Sequence, residues 1–239
     1  MILKKLSIII PAFNEGKTIQ QVLQNLVDLK LNDGIEKELL VINDFSSDNT
    51  SFLIDQFISE NKNSEIQLFN QLENKGKGAA IHKGIEMATG DYIVIQDADL
   101  ELNPTDINRL LDCLISGKSS VVYGSRFLTN NHKNTNFVWH ILGNGFLTKL
   151  SNLFTGFRLT DMMTCYKLIP SEVLKSMHLK EMRFGFEPEV TLKLSKINNL
   201  TIQEVPISYD ARSKTEGKKI SAKDGFRVIY CILKYKFSN

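Results

Sequence analysis

Three cysteines, Cys113, Cys165 and Cys231, are all that this 239-residue chain contains. They are odd in number and far apart, and none has a partner at metal-ligand spacing. A disulfide framework and a thiolate metal site are thereby set aside. Buried or half-buried thiols in a reducing compartment are expected instead. No run of eighteen apolar residues occurs, so no transmembrane helix is expected. The opening Met1-Ile2-Leu3-Lys4-Lys5-Leu6-Ser7 lacks a long apolar stretch and a small-residue cleavage site, and reads as the approach to a strand rather than as a signal peptide. Neither sign of charge dominates. Lys and Arg number 29 against 27 Asp and Glu, a net +2, which gives no bulk field for nucleic acid or membrane. No Gly-x-Gly-x-x-Gly follows the first apolar run, which disfavours a dehydrogenase, and no Gly-rich Arg-Lys loop follows it, which disfavours a nucleotidyltransferase. Repeats and low-complexity segments are absent.

What is present is a globular composition long enough for one large α/β domain with a sizeable core. Leu6 to Ile10 is a continuous apolar, β-rich run ending at Pro11, the mark of a buried parallel strand. Ile19, Val22, Leu23, Leu26, Val27 and Leu29 then form a helical stripe over 18–31. Leu39 to Ile42 is a second buried strand, followed by a helix start at Ser47-Asp48-Asn49-Thr50. Ile66 to Phe69 is a third strand. Asn74-Lys75-Gly76-Lys77-Gly78 is a glycine turn opening a helix to about Ala88. An apolar strand precedes Asp97, a helix spans 105–115, and a strand spans 120–123. Strand and helix thus alternate about four times, which predicts a mostly parallel sheet with helices on both faces. Beyond Ser125 the alternation stops. A long helix is expected over 136–154, a strand over 163–169, a helix over 189–197 and a strand over 201–207. A polar, basic segment from 209 to 219 and an amphipathic helix from 222 to 237 complete the chain.

Asp97-Ala98-Asp99 is the most informative motif. Two carboxylates one residue apart end an apolar strand, and carboxyl ends of strands are where open α/β sheets bind ligands. Such a pair can hold Mg²⁺ or Mn²⁺ and leave positions open for the oxygens of a diphosphate. Other informative residues, Asn14-Glu15, Asp44 and Lys77, also follow strands, as expected of a nucleotide-binding rim.

Taken in order, seven motifs carry a resemblance. They are Ile8-Ile9-Ile10-Pro11-Ala12-Phe13-Asn14-Glu15, the run from Asn43-Asp44 to Asn49-Thr50, Asn74-Lys75-Gly76-Lys77-Gly78-Ala79-Ala80, Asp97-Ala98-Asp99, Gly124-Ser125-Arg126-Phe127, the run from Leu159 to Lys167, and the run from Arg212 to Ile220. Together they resemble the family-2 glycosyltransferases of the GT-A fold, and within these the dolichyl- and polyprenyl-phosphate sugar transferases. The resemblance covers nearly the whole chain. It implies an α/β domain of GT-A type over 1–221. Residues 1–125 would be the nucleotide-sugar half and 126–221 the acceptor half with a basic loop at 209–220. A C-terminal amphipathic helix over 222–239 follows. Pro11, Asn14, Glu15 and Asp44 would line the base and ribose of the donor, with Lys77 at its phosphate or base. Asp97 and Asp99 would hold the divalent ion, and Arg126, Arg212, Lys218 and Lys219 would handle phosphates. One departure is Asn43-Asp44, where many relatives carry two aspartates.

The chemistry follows from residue types. A departing diphosphate needs a metal and cations to take up its charge. The basic segment, Arg212 above all, can supply the cations and close over the donor as a mobile loop that excludes water. A sugar-hydroxyl acceptor needs a carboxylate base. A lipid monophosphate does not, because its second pKa is about 6. Many hydroxyl-using relatives carry a Glu-Asp pair in the region of Phe186-Glu187-Pro188-Glu189, and here Pro188 stands at the Asp position. That points to a polyprenyl phosphate acceptor and a single inverting displacement, with Glu187, Glu189 or Asp161 left as base candidates for the alternative, a glycan or glycolipid hydroxyl. A catalytically idle nucleotide-binding scaffold is the non-enzymatic alternative.

A polyprenyl tail must be met at a bilayer. The 136–154 helix, with Phe137, Trp139, Phe146 and Phe154 beside Lys149 and His140, and the tail helix, with Val228, Ile229, Tyr230, Ile232 and Leu233 beside Arg227, Lys234 and Lys236, could lie in the interface. Both could equally cover the core or meet a second copy or a membrane protein. Many relatives continue into membrane spans and this chain stops before any, so a cytoplasmic, at most peripheral, protein is expected. Plain structural roles stand beside the functional ones: a helix cap for Asp44, a turn for Lys77, an ion pair for Arg126 and a backbone contact for Asp161. His82, His132 and His178 read as solvated.

Overall fold

Alternating side chains on two paired strands fix the centre of the molecule. The computed structural model describes residues 3–128, 138–211 and 222–237, with side chains over 3–128, 143–211 and 225–237. Strands β1 (Lys5–Ala12) and β2 (Glu36–Asn43) pair in parallel from Lys5↔Glu36 to Ala12↔Asn43. Ile8, Ile10, Leu39 and Val41 enter one hydrophobic cluster, and Ile9, Leu40 and Ile42 enter another. Those are the two faces that a two-residue period provides. A sheet buried on both faces needs helices on both. Leu23 of α1 (Ile19–Asp28), Ile54 of α2 (Thr50–Glu60) and Leu110 of α4 (Asp106–Ile115) join the first cluster. Ile81 of α3 (Lys77–Met87), Leu174 of α6 (Ser171–Ser176), Val190 of α7 (Phe186–Leu194) and Ile232 of α8 (Ala222–Phe237) join the second. Helix α5 (Val138–Thr155) lies against α7 and α8.

Seven strands form the sheet in the order β3-β2-β1-β4-β6-β5-β7, with β3 at Ile66–Asn70, β4 at Tyr92–Ile95, β5 at Val121–Ser125, β6 at Lys167–Pro170 and β7 at Ile202–Pro206. All neighbours are parallel except β6, which is antiparallel to β4 and to β5. The carboxyl ends of six strands and the amino end of β6 therefore share one edge. Pro11 lies beyond the last β1–β4 pair, Ile9↔Ile95, so its missing N–H breaks no ladder on that side.

Several boundaries differ from the sequence reading. The first helix ends at Asp28 rather than near 31, and the strand expected over 163–169 is confined to Lys167–Pro170. The helix expected over 189–197 starts at Phe186, because Pro188 falls in its first turn, where no N–H is needed, and Glu187 and Glu189 suit the positive end of its dipole. The short helix α6 was not foreseen. His82 is half-buried, not solvated. Its Nε2 has no hydrogen-bond partner among the described residues, and burial lowers its pKa.

Glu38 ties the start of the sheet together. Its buried carboxylate accepts bonds from Ser7 Oγ, Thr89 N at 2.6 Å, Thr89 Oγ1 at 2.7 Å and Gly90 N at 3.2 Å, and pairs with Lys5 Nζ at 3.2 Å. Burial opposes the charge, but these donors outweigh it and hold the carboxyl at about 2. A folded pKa below the unfolded one stabilises the protein fully above about pH 4.5. That contribution, about 3 kcal/mol, is lost as pH falls toward 2. Melting curves between those limits should therefore fall more steeply for the native protein than for Glu38→Gln. Parallel slopes would refute the assignment.

Candidate active site

The chain leaves β1 for β2 and β3 on one side and later enters β4 on the other. The gap between β1 and β4 is thus the switch point at which open α/β sheets bind ligands. Asn14 and Phe45, just past β1 and β2, both adopt left-handed backbone, with φ of 54° and 60°. Such strain collects at functional rims. Asn14 laces the two loops: its N–H donates to Ser46 Oγ at 3.0 Å and its Oδ1 accepts from Ser47 N at 2.8 Å. The N–H of Glu15 donates to Thr50 Oγ1 at 2.9 Å. Thr18 Oγ1 donates to Ala98 O at 2.8 Å, tying the start of α1 to the Asp97-Ala98-Asp99 turn.

Asp44 is no helix cap. Its carboxylate accepts from Gln71 Nε2 (2.8 Å), Asn74 Nδ2 (3.0 Å), Lys75 N (2.8 Å) and Gly76 N (2.8 Å), and so holds the turn that delivers Lys77. That turn needs its glycines. Gly76 has φ +97°, and a Cβ on Gly78 would stand 2.2 Å from the carbonyl oxygen of Glu181. The 181–183 segment is itself held from α8, since the buried Glu181 carboxylate accepts from Arg227 Nη2 at 2.7 Å, Lys234 Nζ at 3.1 Å and Tyr235 Oη at 2.9 Å.

Lys77 meets Asp97. Its ammonium lies 2.6 Å from Asp97 Oδ1, 3.0 Å from Cys165 Sγ and 3.8 Å from Glu187 Oε1, while the Cys165 thiol donates to Asp97 Oδ2 at 2.7 Å. Burial works against the ammonium, but the Asp97 charge outweighs it and holds the Lys77 pKa well above its ordinary value. Burial, reinforced by Asp97, pushes the Cys165 thiol up, so it stays protonated. Beneath them burial brings Lys167 down to about 8, against the opposing pull of Glu187. Glu187 is 4% exposed, and its Oε2 has no hydrogen-bond partner among the described residues.

Asp99 sits on the other side of Ala98, its Oδ1 accepting from Glu101 N at 3.0 Å. Glu101 in turn takes the Tyr209 hydroxyl at 2.8 Å and its carbonyl takes Asp210 N at 2.9 Å, and Leu102 and Tyr209 form an antiparallel bridge. The segment after β7 is thereby stitched to the acidic turn after β4. Arg126, following β5, grips Asp161 through Nε at 2.7 Å and Nη2 at 2.8 Å, with its guanidinium 5.1 Å from the centre of the Tyr209 ring. Asp161 is fully buried and also accepts from Asn144 Nδ2 at 2.7 Å. Burial opposes its charge, but Arg126 prevails and holds the carboxyl below its usual range. Glu204 of β7 fixes the loop from below, accepting from Thr160 N at 2.7 Å and Asp161 N at 3.0 Å.

The structure thus gathers Asn14, Glu15, Asp44, Lys77, Asp97, Asp99, Arg126, Asp161 and Glu187 along one edge of the sheet. Arg212, Lys218 and Lys219 lie outside the described residues, as do His132, Phe137 and the side chains of Trp139 and His140. The sequence reading missed Cys165, Glu101, Tyr209, Glu204 and Lys167. Glu101 left a trace as a third acid two residues beyond Asp99, and Cys165 and Lys167 fell inside the Leu159–Lys167 motif without a role of their own. Asp97 and Asp99 are hard oxygen donors, which suits Mg²⁺ or Mn²⁺. No cluster of three potential ligands occurs among the described residues. A cation here would therefore take its other oxygens from a ligand, and at Asp97 it would compete with the Lys77 ammonium. With that division the pair fits a divalent ion.

An active edge of this kind on a sheet with one reversed strand defines the GT-A architecture. The profile of glycosyl transferase family 2 matches residues 7–177, and the chain belongs to that family. It is 28% identical over 235 residues to a dolichyl-phosphate beta-glucosyltransferase of Dictyostelium discoideum, covering 90% of this chain and 68% of the relative. It is 26% identical over 237 residues to a dolichol-phosphate mannosyltransferase of Pyrococcus furiosus, covering 97% of this chain and 64% of the relative. Among solved structures it superimposes on glucosyl-3-phosphoglycerate synthase of Mycobacterium tuberculosis in complex with UDP, with a TM-score of 0.71 at 20% identity over 98% of this chain and 80% of the other. Other crystals of that synthase hold UDP with Mn²⁺ or Mg²⁺. This protein is a glycosyltransferase of family 2 with the GT-A fold.

Proposed function

We propose that the chain transfers a hexose from a UDP- or GDP-sugar to a polyprenyl phosphate at a membrane surface. The observation that carries this reading is the seam between Leu102 and Tyr209, which ties the chain at Tyr209, just ahead of the basic residues, to the acidic turn. Anionic and cationic groups then flank the place where a sugar diphosphate must come apart. Asn14, Glu15 and Pro11 line the base and ribose end, and Asp44 serves it by shaping the Lys77 turn. Asp97 and Asp99, with Glu101 next in line, would hold Mg²⁺ or Mn²⁺, which when bound neutralises charge on the leaving diphosphate. Lys77, Arg126 and the cations of 212–219 complement the same charge.

The state of the base candidates supports a phosphate acceptor. Asp161 is engaged by Arg126 and Asn144, and Glu189 by Lys180 N at 2.9 Å, Glu181 N at 2.7 Å and Lys193 Nζ at 2.8 Å. An already ionised phosphate oxygen attacks the anomeric carbon without them, the bond to the diphosphate oxygen breaks, and the configuration inverts. The names of the dolichyl-phosphate relatives favour the same acceptor class.

A hydroxyl acceptor is the second reading, because Glu187 Oε2 is left without a hydrogen-bond partner among the described residues. Glu187→Gln separates the two. Transfer from radiolabelled donor to polyprenyl phosphate should survive it. Loss of at least about 10²-fold, with oligosaccharide as the better acceptor, would instead mark Glu187 as a general base. The donor is identified by thermal shift with UDP- and GDP-sugars and Mn²⁺ or Mg²⁺. At a hundredfold excess over Kd, the true ligand stabilises by about 2.7 kcal/mol, or about 5–10 °C for a chain of this size. No shift with any nucleotide sugar would defeat the proposal.

A further inference from the structure

Helix α8 has two apolar stripes, and only one faces the core. Val228, Cys231, Ile232 and Tyr235 are buried. Phe226, Tyr230, Leu233 and Phe237, spaced four, three and four residues apart and so on one helical face, are exposed by 75, 52, 43 and 83%. Of the side chains offered to the interface by the sequence, Val228 and Ile232 lie in the core instead, and Phe154 of α5 packs against it. On the adjoining α5, Phe146 and Leu153, two turns apart, are exposed as well. We infer that this outward face of α8, with Phe146 and Leu153 of α5, is a docking surface for a bilayer carrying anionic lipids.

Charge selects that occupant. Over 143–160 and α8 the chain carries Lys149, Arg158, Lys223, Arg227, Lys234 and Lys236 against one carboxylate, Asp224, although acids and bases nearly balance in the whole sequence. Glu181 pairs with Arg227 and Lys234, and even with it counted, six cations face two carboxylates. Exposed aromatic and aliphatic side chains flanked mostly by cations suit a headgroup region of negative potential. A second copy fits poorly, because a two-fold contact through α8 would set these cations against their own kind. Six exposed side chains also fall short of the 20–30 residues per partner, or about 800 Å², of a stable interface. No described helix is long and apolar enough to cross a membrane, so the contact is with the surface of the bilayer. The inference deepens the membrane-lipid reading above but rests on this face alone.

The test is co-sedimentation of the whole chain with vesicles that contain no polyprenyl phosphate. Binding is expected to vesicles with about 30% anionic lipid, not to neutral ones, and to weaken in about 0.5 M salt. The double variant Phe226→Ser/Phe237→Ser should bind at least about tenfold less, with its melting temperature unchanged because both rings are exposed. If it melts early, Lys149→Glu/Arg158→Glu replaces it, with the same loss expected. Three results would overturn the inference: no sedimentation with either vesicle, undiminished binding by the variants, or a lipid-free dimer that Phe226→Ser/Phe237→Ser dissociates. Binding without transfer to polyprenyl phosphate would sink the acceptor reading and leave the surface standing.

Discussion

Asp99→Asn is expected to lower transfer by about 10³-fold, roughly 4 kcal/mol of barrier, while changing the melting temperature little. The substitution preserves shape and keeps an oxygen to accept the Glu101 N–H, now 3.0 Å from Asp99 Oδ1. What it removes is one negative charge from the pair that would hold the divalent ion. Stability should move by no more than about 0.5–1 kcal/mol, because the asparagine oxygen keeps the bond from Glu101 N. Initial rates against Mn²⁺ concentration, with a melting curve on the same sample, check both halves. The activity that remains should need more metal. A variant within tenfold of the native rate would show that Asp99 does not carry the ion, and an unchanged phenotype would revive the idle-scaffold reading.

Arg126→Ala should be the most destabilising substitution along the edge. It leaves Asp161, fully buried, with Asn144 as its remaining side-chain donor. An uncompensated buried charge costs about 3–5 kcal/mol. Arg126→Lys should recover little, since a single ammonium cannot supply the paired Nε and Nη2 bonds at 2.7 and 2.8 Å. The double variant Arg126→Met/Asp161→Leu tells whether the pair is structural or functional. Apolar replacement of a whole buried pair is often neutral for stability, so urea denaturation should return most of the lost free energy. Transfer should stay low, because the cation assigned to phosphate is gone. Native activity in the refolded double variant would reduce Arg126 to a structural role.

Much of the fold was legible because strands buried on both faces announce themselves as largely apolar runs. Leu6–Ile10, Leu39–Ile42 and the run before Asp97 are β1, β2 and β4, and the polar residues that follow each run lie on one edge, as parallel pairing demands. The second half was harder to read. Lys167–Pro170 is too short to show a period, and the helix expected from 189 begins at Phe186, with Pro188 in its first turn. The double stripe of α8 was visible as an apolar helix, but which stripe met the core was not.

The sequence by itself determined the alternation of strand and helix up to β5, the acidic pair at the end of β4 and the basic character of the segment beyond Tyr209, because these depend on local period and residue type. Tertiary structure alone decided who meets whom. One reversed strand, β6, brings Cys165 from the far half of the chain onto Asp97, 68 residues away in sequence, and the Leu102–Tyr209 bridge ties the start of the segment after β7 to the acidic turn after β4. Neither contact has a local signature. Both arise because a sheet pairs strands by burial and backbone hydrogen bonding, without regard to their distance along the chain.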